Sequence, residues 1–99
     1  MPKVYISGPM TGYPDLNFPA FNAKAKELRD RGYDVVNPVD INPDPSADWY
    51  DCIVADILAM RDCTTIYMLD GWYMSAGANI ERWVAIKNNM TIMYESFDD

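Results

Sequence analysis

Thr64-Thr65-Ile66-Tyr67-Met68-Leu69 is a run of β-branched, aromatic and long apolar side chains, and it reads as a strand. What flanks it decides the fold. Before it, the stretch from about Asp48 to Arg61 carries Trp49, Ile53, Ile57 and Met60 as an apolar stripe, which predicts a helix with that stripe on the core. After it, Asp70-Gly71-Trp72-Tyr73-Met74-Ser75 forms a loop, and a further helix carries Ile80, Trp83, Val84 and Ile86. The same alternation continues outward. Tyr33-Asp34-Val35-Val36 is a strand, preceded by a helix that opens near Pro19, shows Phe21, Ala25 and Leu28 on one face, and stops at Gly32. Lys3-Val4-Tyr5-Ile6-Ser7 is the first strand and Thr91-Ile92-Met93-Tyr94 the last. Between residues 37 and 47, Pro38, Pro43 and Pro45 among Asp and Asn residues predict a long surface loop.

Strands separated by helices run parallel, because each crossover brings the chain back to the same edge. Right-handed crossovers then build an α/β three-layer sandwich, flavodoxin-like or Rossmann-like, with a four-stranded parallel sheet in the order 2-1-3-4. Length fits one domain, residues 1–99, with no internal repeat. Ligands of such sheets lie at the carboxyl ends of the strands where the winding reverses. Here those ends feed the loops Gly8 to Phe18 and Asp70 to Ala78.

Composition removes several kinds of chemistry. The chain has no histidine, so Ser-His-Asp and Cys-His nucleophile pairs and His-ligated metals are impossible. Eight basic residues against 15 acidic ones, a formal net charge of -7, offer no cationic track for a nucleic-acid polymer. No apolar run approaches the ~18 residues of a membrane helix, and the N-terminus lacks the apolar region of a cleavable signal. Two cysteines, Cys52 and Cys63, are too few for a disulfide framework and are expected as reduced thiols of a cytoplasmic protein. General acid or base work therefore falls to Asp, Glu, Lys, Tyr or Cys.

Several side chains stand out. Asp56 falls on the core-facing stripe of its helix, where an unpaired charge costs several kcal/mol; it is either paired there or an edge acid that reaches solvent or caps a neighbouring loop. Glu81 is expected in the first turn of the last helix, where the dipole favours an acid and where the ligand crevice also lies. Asp70 ends the third strand, as a turn former or a crevice acid. Ser75 and Gly77 precede the helix, as a cap or as donors to an anion. Ser7 and Gly8 let a ligand approach the backbone after the first strand, with Met10 in the same loop, although neither a dinucleotide fingerprint nor a P-loop is present. Tyr5 reads as half core and half pocket. Trp72, with Tyr73 and Met74, forms an unusually apolar loop that stacks on a flat ligand, buries against a second subunit, or packs on the domain itself.

Taken together, Val4-Tyr5-Ile6-Ser7-Gly8, Ala55-Asp56-Ile57-Leu58 and Ser75-Ala76-Gly77-Ala78-Asn79-Ile80-Glu81 resemble the nucleoside 2-deoxyribosyltransferase-like superfamily, in particular its small, mostly unassigned branch from phages and bacteria. The resemblance implies that Glu81 is a nucleophile, that Asp56 is a pocket acid donating a proton or orienting Glu81, and that Tyr5 lies near the sugar. Ser75 stands where deoxynucleoside-monophosphate hydrolases of this superfamily have a phosphate-holding serine, whereas Thr11 stands near the place of their arginine. Cleavage or transfer at an N-glycosidic bond of a nucleoside or nucleotide is the activity implied, without cofactor or metal, in a homo-oligomer. A module that binds a nucleotide or ADP-ribose-like metabolite without turning it over is the alternative, and an interaction subunit using Trp72, Tyr73 and Trp83 is a third.

Overall fold

A computed structural model describes residues 2–97. Four parallel strands, β1 (Lys3–Ser7), β2 (Asp34–Val36), β3 (Thr65–Met68) and β4 (Thr91–Tyr94), form one sheet in the order β2-β1-β3-β4. The fold expected from the alternation of strands and helices is the one observed. The helices are α1 (Phe18–Asp30), α2 (Pro38–Ile41), α3 (Trp49–Met60) and α4 (Ala76–Lys87). Gly32 has a φ of 95°, the left-handed conformation that ends α1 without the penalty a side chain would bring.

Alternation along the central strands divides the core between the two faces. Val4 and Ile6 of β1 pack with Tyr67 and Leu69 against Phe21, Ala25 and Leu28 of α1. Tyr5 of β1 points the other way and packs with Ile66 and Met68 against Met60 of α3 and Ala78 and Ala85 of α4. Winding direction therefore reverses between β1 and β3, whose registers pair Ser7 with Met68 at the carboxyl end. Beyond that pair the Ser7 carbonyl accepts from Leu69 N–H at 2.8 Å.

Three local expectations are corrected. The stretch predicted as a plain loop contains α2, started by Asn37, whose side chain accepts from Val39 N–H at 3.1 Å. On α3 the stripe is turned further outward than its periodicity suggests: Met60 is buried, Ile53 and Ile57 are half-buried, and Trp49 is exposed. On α4 the buried residues are Ala78, Glu81 and Ala85, whereas Ile80, Trp83 and Ile86 face out. Small residues let α4 lie close to the sheet, so its large apolar side chains sit on the opposite surface. No described helix is long and apolar enough to cross a membrane.

Candidate active site

Glu81 sits in the second turn of α4, since that helix begins at Ala76, and not in the first turn as expected. The macrodipole explanation for this acid is therefore weak. Glu81 is only 5 % exposed, and its carboxylate is held by two hydroxyls from β1: Ser7 Oγ donates to Oε1 at 2.6 Å and Tyr5 Oη donates to Oε2 at 3.0 Å. Both donors come from residues more than 70 positions away in the chain (separations of 74 and 76). Tyr5 is fully buried, rather than half in the pocket, and supplies only its hydroxyl.

Asp56, on the inner face of α3, is 6 % exposed and accepts from Asn42 Nδ2 at 2.9 Å. Burial overturns the solvent-reaching form of the edge reading, whereas the bond from Asn42 ties the carboxylate to the neighbouring loop, as the other form expects; Asp56 also lies close enough to Glu81 for their charges to interact. Both acids are raised. Burial pushes Asp56 up to about 6 against the hydrogen bonds it receives. Burial first, and then the neighbouring Asp56 charge, push Glu81 up to about 8. Two close, desolvated carboxyls resist double ionisation, so the pair retains one proton at neutral pH. Burial and the two acids also push the Tyr5 hydroxyl well above its ordinary range, so it remains a neutral donor.

Asp56 and Glu81 form the floor of a cavity of about 190 Å³ at the carboxyl edge of the sheet, while Tyr5 and Ser7, expected to bind substrate, lie fully buried behind Glu81 and do not line it. Gly8, Met10, Thr11, Leu16 and Phe18 line it from the β1–α1 connection, and Pro38, Asn42, Asp44, Pro45 and Ala47 from the β2–α3 connection. Trp49, Cys52, Ile53 and Asp56 line it from α3, with Ser75, Gly77, Ala78 and Glu81 opposite. Gly8 is required by proximity, since an added Cβ there would lie 2.8 Å from Leu69 Cβ. Ser75 caps α4 through Oγ, which accepts from Ala78 N–H at 3.2 Å, while still lining the cavity. Cys52 is held as a thiol by partial burial and by surrounding carboxylates, Asp56 foremost, which disfavours it as a nucleophile.

Besides Tyr5 and Ser7, two more expected site residues lie outside the cavity lining. Trp72 does not line the cavity; it packs beside the core, with the Arg82 guanidinium 5.1 Å from its ring centroid and Tyr94 next to it. Asp70 is exposed and bonded to Ser96 Oγ, while its N–H donates to Glu95 Oε1 at 2.9 Å. Between them Gly71 turns the chain at φ 84°, packed so closely on the β1–α1 connection that an added Cβ would lie 2.6 Å from Tyr13 Oη.

Sequence reasoning missed Leu16, Phe18, Asn42, Asp44, Trp49, Cys52 and Ile53 as wall residues. Leu16 follows from an unadvertised turn: Asp15, Leu16 and Asn17 have φ values of 52°, 51° and 61°, a left-handed run without glycine. Asn17 Nδ2 steadies it by donating to the Pro9 carbonyl at 2.9 Å. Asn42 carries no sequence signal beyond its loop, but Trp49 and Ile53 belong to the recognised stripe. Among the described residues, no cluster of three or more His, Cys, Asp or Glu is arranged to hold a metal ion, and both cysteines are free thiols.

The fold and this floor define an α/β domain with a paired-carboxyl cleft at its topological switch point. The model of a family described as "Domain of unknown function (DUF4406)" matches residues 2–94, and the chain belongs to that family. Comparison with curated proteins gives no match.

Proposed function

We propose that the cleft breaks the N-glycosidic bond of an uncharged nucleoside, with Glu81 as nucleophile and Asp56 as proton donor. The observation that carries this reading is the convergence of the two acids: from different helices, two buried carboxyls line the floor of one cavity open to a small ligand. As the base departs, positive charge develops on the anomeric carbon, and a carboxylate beside it stabilises that charge or traps it. The resting pair holds its proton on Glu81, so reaction requires that proton to pass to Asp56, leaving Glu81 as the anion to which Ser7 and Tyr5 donate. The carbon–nitrogen bond breaks, its electron pair goes to the base nitrogen, and that nitrogen takes the Asp56 proton. Glu81 forms an ester to the sugar. Water then attacks the anomeric carbon, its proton returns to Asp56, and the Glu81 carboxylate leaves. A second base in place of water gives transfer.

The walls favour a substrate without phosphate. Asp44, Asp56 and Glu81 line the cavity, and none of the eight Lys and Arg residues does. A phosphate there would meet carboxylates, at about 1 kcal/mol for each unit-charge pair ~4 Å apart in water-like surroundings. Incubation with a panel of deoxynucleosides and their monophosphates, scored for free base, tests both statements. The expected result is release from nucleosides, roughly 10-fold or more faster than from monophosphates, and loss of ~10³-fold or more in Glu81→Ala. Undiminished release by Glu81→Ala refutes the nucleophile. A ligand bound tightly and recovered unchanged after long incubation turns the reading to a binding module.

A further inference from the structure

Asn42 lines the cavity, and its Nδ2 donates to Asp56 Oδ1 at 2.9 Å. Its place is set by α2, because its own N–H closes that helix by donating to the Pro38 carbonyl at 2.9 Å. A helix of four residues does not stand alone in water, where even ~12–15 residues are marginal. Packing and caps hold it instead. At its start Pro38 is buried, with a ring that presets the helical φ. Asn37, 2 % exposed, accepts from Val39 N–H through Oδ1 and donates through Nδ2 to Asn22 Oδ1 of α1 at 2.9 Å. At its end Asn42 meets Asp56 of α3. The first and third helices pack on opposite faces of the sheet, so the amides of Asn22, Asn37 and Asn42 tie the two layers together across the carboxyl edge.

We infer that Asn42, held in place by α2, is a positioning residue for the Asp56 carboxyl and decides which of its oxygens carries a proton. An ionised carboxylate only accepts, so the amide beside it must present N–H. An oxygen that already accepts from N–H is the poorer site for a proton. When Asp56 is protonated, the proton therefore sits on Oδ2. The same bond resists the half-turn of the carboxyl that would exchange its two oxygens. It also favours the Asp56 anion, so that Asp56 releases a proton more readily than its burial alone would allow. Direction matters for a proton donor, since a misplacement of about 1 Å lowers rates by up to ~10²-fold. The effect on rate rests on the reaction proposed for the cleft, whereas the effect on the carboxyl itself does not.

Asn42→Leu keeps the bulk of the side chain and removes the donor. The Asp56 carboxyl of the full chain, followed by carbon-13 NMR through a pH titration, should titrate about half a pH unit or more higher in the variant than in the parent, because its anion loses a hydrogen bond. Glu81 of α4, Tyr5 of β1 and Cys52 of α3, the titratable groups that feel the Asp56 charge, are the same in both proteins. Asn42→Ala repeats the test if circular dichroism shows that the leucine variant does not fold. In deoxynucleoside cleavage the variant should lose roughly 10-fold or more in kcat, with KM within about 3-fold of the parent value. An Asp56 midpoint that does not move overturns the inference. So does a raised KM with kcat intact, which makes Asn42 a substrate contact. A shifted midpoint together with a parent chain that releases no base overturns the cleft chemistry and leaves Asn42 as the residue that orients Asp56.

Discussion

Glu81 is the residue in which burial, charge and hydrogen bonding oppose one another most. Two hydroxyls favour its anion, while desolvation and the Asp56 charge favour its acid and win, raising it from an ordinary 4.5 to about 8. The folded chain therefore holds a proton that the unfolded chain releases between those values. Its contribution to stability is full below about 4.5 and is lost as pH rises through about 8. Thermal melts across that window should show the midpoint falling with pH, and Glu81→Gln should flatten the fall; a slope that is identical in both proteins contradicts the assigned proton. Asp56 was legible because a carboxyl on a core-facing stripe conflicts with its surroundings, and Glu81 because it falls beside the expected crevice and matches the glutamate that the resemblance implies. Asp70 and Trp72 were misassigned because their identities suit a crevice, while their direction is set by the turn at Gly71, which periodicity does not encode.

At the scale of elements, β1 and β3 do most to position the site. Their carboxyl ends carry Ser7 and Gly8 on one strand and the approach to α4 on the other. They come so close at Gly8 that a methyl group would press on Leu69. Gly8→Ala should cost about 1–3 kcal/mol in denaturant unfolding and lower activity further by displacing Ser7 from Glu81. A variant as stable as the parent would show that the two strands separate freely there. The strands and three long helices were legible because their apolar residues repeat at 2.0 or near 3.6 positions. Periodicity did not settle which side of α4 is buried. Ala78 and Ala85 carry little apolar weight, whereas Ile80, Trp83 and Ile86 carry much, so the weight pointed away from the sheet. The same error concealed the outward face of α4.

For the whole molecule, topology brings the distant parts together. A 2-1-3-4 parallel sheet reverses its winding between β1 and β3, and that reversal places residues from the first strand, the third helix and the last helix around one cavity. The order was readable from alternation alone, and it located the crevice before any side chain was assigned to it. The far wall, from Pro38 to Ala47, was not readable, because a proline-rich connection has no period to orient it. A family of unknown function thus acquires a specific chemical hypothesis at its switch point. The most direct test is to mix the protein with a deoxynucleoside, quench in acid, and weigh its proteolytic peptides. The expected result is a peptide containing Glu81 that is heavier by one deoxyribosyl group and is absent in Glu81→Ala. Base release with the sugar attached to another residue, or with no attachment under conditions that preserve esters, would contradict it.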